Sequence, residues 1–230
     1  MNILLVSPPT PTSFWSYKHA LPLISKKAAF PPLGLMTVAA MLPEEWNLQL
    51  VDLDVRRLRH RDIERADYVF LSAMIVQADA AREVIRRCQA LGKLVIGGGP
   101  LFTTGHERFP ELRHVVLGEA EHVIPELIEV MRRGALRDVY QSDSRPDLAA
   151  TPVPRWDLIN FKHYASMSVQ FSRGCPFNCE FCDIVVMNGR VPRTKEPAQV
   201  VRGTRPFITT MSQNSQLNGQ PRENCTGNVT

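Results

Sequence analysis

The 230 residues are 44% hydrophobic and 22% charged, with 27 basic against 23 acidic side chains and 5 cysteines. That is enough apolar material for one or two packed domains, and it excludes collagen-like, coiled-coil and wholly disordered chains. The net charge of +4 is spread along the chain rather than gathered in a block, so it does not point to a nucleic-acid partner.

In chain order, short apolar runs at 2–6, 48–52, 68–72, 94–97 and 114–117 have strand length and composition. Helical patterns alternate with them at 33–42, 61–66, 79–91 and 120–133. The clearest is 79–91, where Ala81, Val84, Ile85, Cys88 and Leu91 recur on one face and Gly92 supplies a stop. Cys88 belongs to that face and reads as a small buried hydrophobe. The last helix closes with Arg132, Arg133 and Gly134, favourable chemistry for a C-terminus. This alternation predicts an α/β domain over 1–135 with a doubly wound, five-stranded parallel sheet. In such a fold ligands sit at the carboxyl ends of the strands, which singles out the loops 7–11, 72–77, 97–104 and 118–121.

Residues 136–165 read as a connector, broken by Pro146, Pro152 and Pro154. A new strand is expected at 168–172, opening a second unit over 166–201 that runs into RGCPFNCEFCD and a basic loop with Arg190, Arg193 and Lys195. In the last 29 residues, 202–230, 14 are Ser, Thr, Asn or Gln and 6 are hydrophobic, so a disordered tail is expected. No apolar run nears the roughly 18 residues that cross a bilayer. The start MNILLVSPP lacks the charged opening and cleavage site of a signal peptide. A cytoplasmic protein with reduced cysteines and no transmembrane segment is expected.

Cys175, Cys179 and Cys182 form C-x3-C-x2-C within eight residues. Three thiolates so spaced can hold one face of an iron–sulfur cluster and leave one iron without a protein ligand. Structural zinc competes, but it takes four protein ligands and no second cysteine or histidine pair lies nearby; Cys225 sits in the polar tail and reads as incidental. Three buried structural thiols form a third possibility.

The run Cys175-Pro-Phe-Asn-Cys179-Glu-Phe-Cys182 after a strand resembles the cluster loop of radical S-adenosylmethionine enzymes. That resemblance implies a [4Fe–4S] cluster on the three cysteines, S-adenosylmethionine at the open iron, and Phe181 near the adenine, although an ordinary core or lid aromatic is the competing reading of Phe181. Pro8 and Pro9, FPPLGL from Phe30, GGGP from Gly97 and GEAE from Gly118 resemble the cobalamin-binding domain that precedes many such enzymes, including hopanoid-type methylases. Together the two modules imply a B12-dependent radical methyltransferase that acts on a small-molecule or lipid substrate and draws on an electron donor. Loop position puts Ser72, Met74, Gln77, Gly98, Gly99 and Glu119 against the cobalamin. None of His19, His60, His106, His114, His122 and His163 lies in an Asp-x-His-x-x-Gly frame, so cobalt without a protein ligand is expected. No catalytic residue is assigned.

The family's cluster loop opens a partial βα barrel, whereas here the polar tail begins after Val201, which suggests a C-terminally truncated chain. Three functional classes follow: the radical methyltransferase, a non-catalytic fragment acting only as a cobalamin-binding module, and an α/β domain whose glycine run faces a nucleotide or nothing.

Overall fold

The computed structural model describes residues 1–205. Six strands form one sheet: β1 (Asn2–Ser7), β2 (Asn47–Asp52), β3 (Tyr68–Ser72), β4 (Leu94–Gly98), β5 (His114–Leu117) and β6 (Val139–Gln141). Their spatial order is β2-β1-β3-β4-β5-β6 and every ladder is parallel. Five helices connect them: α1 (Leu33–Ala39), α2 (His60–Glu64), α3 (Ala78–Gln89), α4 (Pro100–Thr103) and α5 (Ile124–Arg133).

Strand alternation divides the interior into two layers. Ile3, Leu5, Phe70, Ile96 and Val116 face a layer with Leu35 and Ala39 of α1 and Leu127 and Met131 of α5. Leu4, Val6, Val69, Leu71, Val95 and Val115 face the opposite layer with Ile63, Ala81, Val84, Ile85, Cys88 and Phe102. A parallel sheet must be covered on both faces, which is why its strands are near-continuous apolar runs. The chain's direction across the sheet reverses between β1 and β3, and a crevice opens at their carboxyl ends.

The α/β class read from the sequence holds, with one strand more than the five expected. β6 pairs with β5 through Val115↔Val139, Val116↔Tyr140 and Leu117↔Gln141, inside the stretch read as connector. It consists of three residues with only Tyr140 buried, too short for a periodicity to register. α5 starts at Ile124 rather than 120, because residues 120–123 form a turn whose Ala120 carbonyl accepts from Val123 and Ile124 N–H.

The strand expected at 168–172 is not formed as such. β7 is only Ser172–Arg173, antiparallel to β8 (Arg193–Thr194), with the short helix α6 (Ile184–Asn188) between them. No neighbour lies alongside 168–171 in a ladder among the described residues, and an extended segment without one makes no strand. The chain reaches this region by an anchored route: Lys27 and Ala28 N–H donate to the His163 carbonyl, and Ala165 N–H donates to Ala28. Of the disordered tail expected at 202–230, residues 202–205 are instead helical, continuing a helical stretch that begins at 197, and 206–230, with Cys225, lie outside the described residues. Among the described residues no helix is long and apolar enough to cross a membrane.

Candidate cofactor site

A cavity of about 360 Å³ opens at the carboxyl ends of β3, β4 and β5, on the face covered by α1. Its floor is apolar, from Phe70, Ile96, Val116 and Val38, and Ser72, Gly98, Gly118 and Glu119 stand at its rim. Gln170, Arg173, Met187 and Asn188, from the segment around the cysteine loop, complete its outer wall.

The three consecutive glycines do different work. A Cβ on Gly97 would lie 2.5 Å from Leu112 Cδ2 and 3.1 Å from Phe102, so this residue lets the opposite layer pack tightly against the sheet. Gly98 faces the cavity, and a Cβ there would meet nothing nearer than the Val116 carbonyl at 3.7 Å. Gly99 has φ +84°, and a Cβ on it would stand 2.5 Å from Ser72 Oγ; the turn needs glycine on both counts. The loops after β3 and β4 are joined by Leu101 N–H donating to the Ala73 carbonyl at 3.0 Å. Thr103 Oγ1 accepts from Gly118 N–H, tying in the loop after β5.

Of the six cobalamin contacts expected, Ser72, Gly98, Gly99 and Glu119 are brought together at this cavity. Met74 and Gln77 are not among its lining residues. Met74 is largely exposed, in an apolar triplet with Ile75 and Val76. Gln77 is buried: its Nε2 donates to the Pro8 carbonyl at 2.6 Å and its Oε1 accepts from Met74 N–H at 2.8 Å. The 3-10 turn Ile75–Gln77 rotates this side chain inward, so Gln77 fastens the loop after β3 to the loop after β1.

Glu119 lines the cavity with its carboxylate already engaged. Arg193 grips it with Nη2 at 2.6 Å and Nη1 at 3.0 Å, Arg173 Nη1 stands at 2.7 Å and Arg145 Nη1 at 3.5 Å. Arg173 Nη2 meets Glu121 at 2.7 Å. Burial opposes the charge on Glu119, but the hydrogen bonds and charges of Arg193 and Arg173 outweigh it and hold the carboxyl below its ordinary range. The sequence reading named Arg193 only as part of a basic loop and missed Arg145 and Arg173. The signal available was the acidic pair in GEAE set against an arginine two residues before Cys175.

Cys175 and Cys182 are half-buried, Cys179 is exposed, and all three are free thiols. Gly174 has φ +92° and a Cβ there would collide with the Val191 carbonyl, so the turn into Cys175 requires glycine. Cys175 N–H donates to Gly189, and Cys182 N–H closes a turn on Cys179. Among the described residues no group of three or more His, Cys, Asp or Glu side chains is gathered as a metal-ligand set. As a donor set, three unpaired thiols on a short surface loop suit a cluster that orders its own ligands. Phe181 is 91% exposed. No histidine lines the cavity among the described residues. Its size and flat apolar floor suit part of a bulky planar ligand, with the remainder lying over the rim.

Residues 23–128 match the B12 binding domain family. The chain is 46% identical to an uncharacterized methyltransferase of Synechocystis sp. over 88% of its own length and 38% of that protein. It is 35% identical to the hopanoid C-2 methylase of Rhodopseudomonas palustris, covering 87% of the chain and 39% of the methylase. It is 28% identical to the bacteriochlorophyllide d C-12(1)-methyltransferase of Chlorobaculum tepidum, covering 84% and 42%. The chain thus spans about two-fifths of the length of these curated relatives. In fold and family match residues 23–128 correspond to a B12-binding domain, and over most of its own length the chain is similar to parts of these methyltransferases.

Proposed function

We propose that the chain holds a corrinoid across the carboxyl ends of β3, β4 and β5 and an iron–sulfur cluster on Cys175, Cys179 and Cys182, as part of a radical S-adenosylmethionine methyltransferase acting on a small-molecule or lipid acceptor. The observation that carries this reading is the shared wall. Gln170 and Arg173, just ahead of Cys175, line the same cavity as Ser72, Gly98 and Gly118. A ligand in that cavity therefore lies beside the cysteine loop. When bound, the cluster supplies the electron that cleaves S-adenosylmethionine, and the corrinoid supplies the methyl carrier.

The chain's own residues bind and orient. Gly98 would leave room for close approach of the corrinoid, the apolar floor would exclude water beneath it, and no described histidine lines the cavity to offer an imidazole. Phe181, exposed on the turn before Cys182, flanks the adenine of S-adenosylmethionine. An external electron donor is required. A second reading, a corrinoid-binding module without a cluster, draws on the B12-binding match over 23–128, which does not include the cysteine loop.

Anaerobic reconstitution with iron, sulfide and hydroxocobalamin, followed by desalting and visible spectroscopy, tests both. The expected result is retention of both chromophores, loss of the cluster absorbance on substitution of any one of the three cysteines by Ala, and at least tenfold weaker cobalamin binding in Gly98→Leu. Cobalamin retained without iron selects the second reading. Retention of neither overturns both.

A further inference from the structure

After Tyr164 no described residue is fully buried, so the segment carrying the cysteine loop has no apolar core of its own. A helical stretch over 197–205 is tied back by Gln199 Nε2 on the Leu148, Ala149 and Thr151 carbonyls and by Trp156 Nε1 on the Gly203 carbonyl, but over 165–195 the strands β7 and β8 are two residues each and α6 is five. Backbone pairing on that scale does not hold a segment against a domain. For 165–195, ion pairs that are themselves shielded from water remain.

Glu119 and Glu121 have side chains 5% and 11% exposed, and Arg173 and Arg193 are 11% and 18% exposed. Arg173 bridges the two carboxylates from β7, and Arg193 takes Glu119 side-on from β8. Both arginines spend further donors on the segment and on the connector. Arg193 donates to the Asn188 carbonyl at the end of α6 and to Pro146, while Arg173 Nε donates to Gln170. Arg145, from the connector, donates to the Met187 carbonyl at 2.5 Å. One loop, directly after β5, thus gathers β7, β8, α6 and the connector through a desolvated, bidentate network of the kind that fixes geometry.

We propose that Glu119 and Glu121 are positioning residues, a latch that holds β7 and the loop of Cys175 across the mouth of the cavity and slows the exit of whatever occupies it. Glu119 is then a fastening at the cavity rim rather than a contact made for the corrinoid. The latch itself stands on the ion pairs alone. Its effect on ligand exit rests on the corrinoid reading above.

Two measurements on the whole chain separate these parts. Glu119→Gln keeps shape and removes the charge, and Arg173→Lys keeps the charge and removes the bridge to both carboxylates. In the protein without cofactors, hydrogen exchange over 170–195 should rise at least tenfold in both variants while exchange in β1, β3 and β4 stays as in the parent. That contrast would not arise from a general loss of stability, which moves all elements together. Unchanged protection of 170–195 in both variants overturns the latch. So does equal loss of protection in the sheet, since Arg173→Lys keeps a cation beside the two carboxylates. With hydroxocobalamin loaded, release followed by visible absorbance should be at least fivefold faster in Glu119→Gln with an unchanged bound spectrum. Faster exchange with an unchanged release rate overturns the control of exit and leaves the latch. A parent chain that retains no cobalamin overturns the corrinoid reading, and the exchange data then decide the latch independently.

Discussion

Gly97, Gly98 and Gly99 are indistinguishable as letters, and the sequence suggests one role for all: close approach to a ligand. In the fold only Gly98 is placed for it, because alternation along β4 turns Gly97 toward Leu112 and Phe102, and the chain leaves the strand at Gly99 with a positive φ. Gly99→Ala should therefore cost about 1–3 kcal/mol through backbone strain and the collision with Ser72. Gly98→Ala, with ordinary contacts around the added methyl group, should change stability by less than about 1 kcal/mol. Urea unfolding midpoints of the two variants check this ordering, and equal effects would mean the turn at Gly99 is not as described.

A second residue-scale case was invisible in the sequence. Asp52 ends β2 and is 5% exposed; Tyr164 donates to it at 3.1 Å and Asp54 N–H at 3.0 Å. Burial is the largest influence and pushes Asp52 up to about 6, over the hydrogen bond from Asp54 N–H; the Asp54 charge adds to the rise and the Tyr164 hydrogen bond opposes it. The folded chain binds this proton more tightly than the unfolded one, whose carboxyl has the ordinary value of 3.8. Below that value Asp52 is neutral in both states and carries no penalty. As pH rises through about 6 the folded state must bury a charge, a loss on the order of 3 kcal/mol. Asp52→Asn should match the parent at pH 4 and exceed it in stability at pH 7, with the difference opening between those values. A parent and variant that stay parallel across the range would contradict this account.

At the scale of elements, legibility followed length. α3 spans 12 residues with Ala81, Val84, Ile85 and Cys88 buried, so its apolar stripe repeats often enough to be read. β6 offers one buried side chain in three, yet Tyr140 is fully enclosed and its hydroxyl accepts from Arg137 N–H at 2.7 Å. A strand this short is defined by its partner, β5, and the partner is 24 residues away (Val115↔Val139). Tyr140→Ala should destabilise by about 3–5 kcal/mol, the range for emptying a large aromatic site. Tyr140→Phe should cost only about 1 kcal/mol, for the single hydrogen bond. A negligible effect of Tyr140→Ala would return 136–150 to the status of a loose connector. The ion pairs of Glu119 were harder still to foresee, because they join residues 54 and 74 positions apart and no local pattern encodes which cation meets which carboxylate. Met74 and Gln77 were assigned by loop position alone, and the 3-10 turn Ile75–Gln77 leaves both outside the cavity lining.

Across the whole molecule the described residues fall into a packed sheet domain and a segment after Tyr164 attached to it by charge and hydrogen bonds, and the cysteines sample both. Cys88 is fully enclosed between α3 and the sheet, and burial pushes its thiol up to about 11. At pH 8 only about a thousandth of such a thiol is ionised, and it meets reagent only when the domain opens. Cys179 is exposed, and Cys175 and Cys182 are half-buried on a loop without a core. Alkylation of the anaerobic chain, mapped by peptide mass, should therefore modify Cys179 first, Cys175 and Cys182 soon after, and Cys88 at least ~100-fold more slowly. Denaturant near the unfolding midpoint should bring Cys88 to the rate of the others, because its protection belongs to the fold. Prior loading with iron and sulfide should shield Cys175, Cys179 and Cys182 together and leave Cys88 as slow as before, since ligation occupies the loop thiols without altering the sheet. Shielding of fewer than three would mean that the loop does not supply a three-thiolate ligand set. Cys88 reacting alongside the loop cysteines in native buffer would mean that the parallel sheet is not the stable unit of this chain.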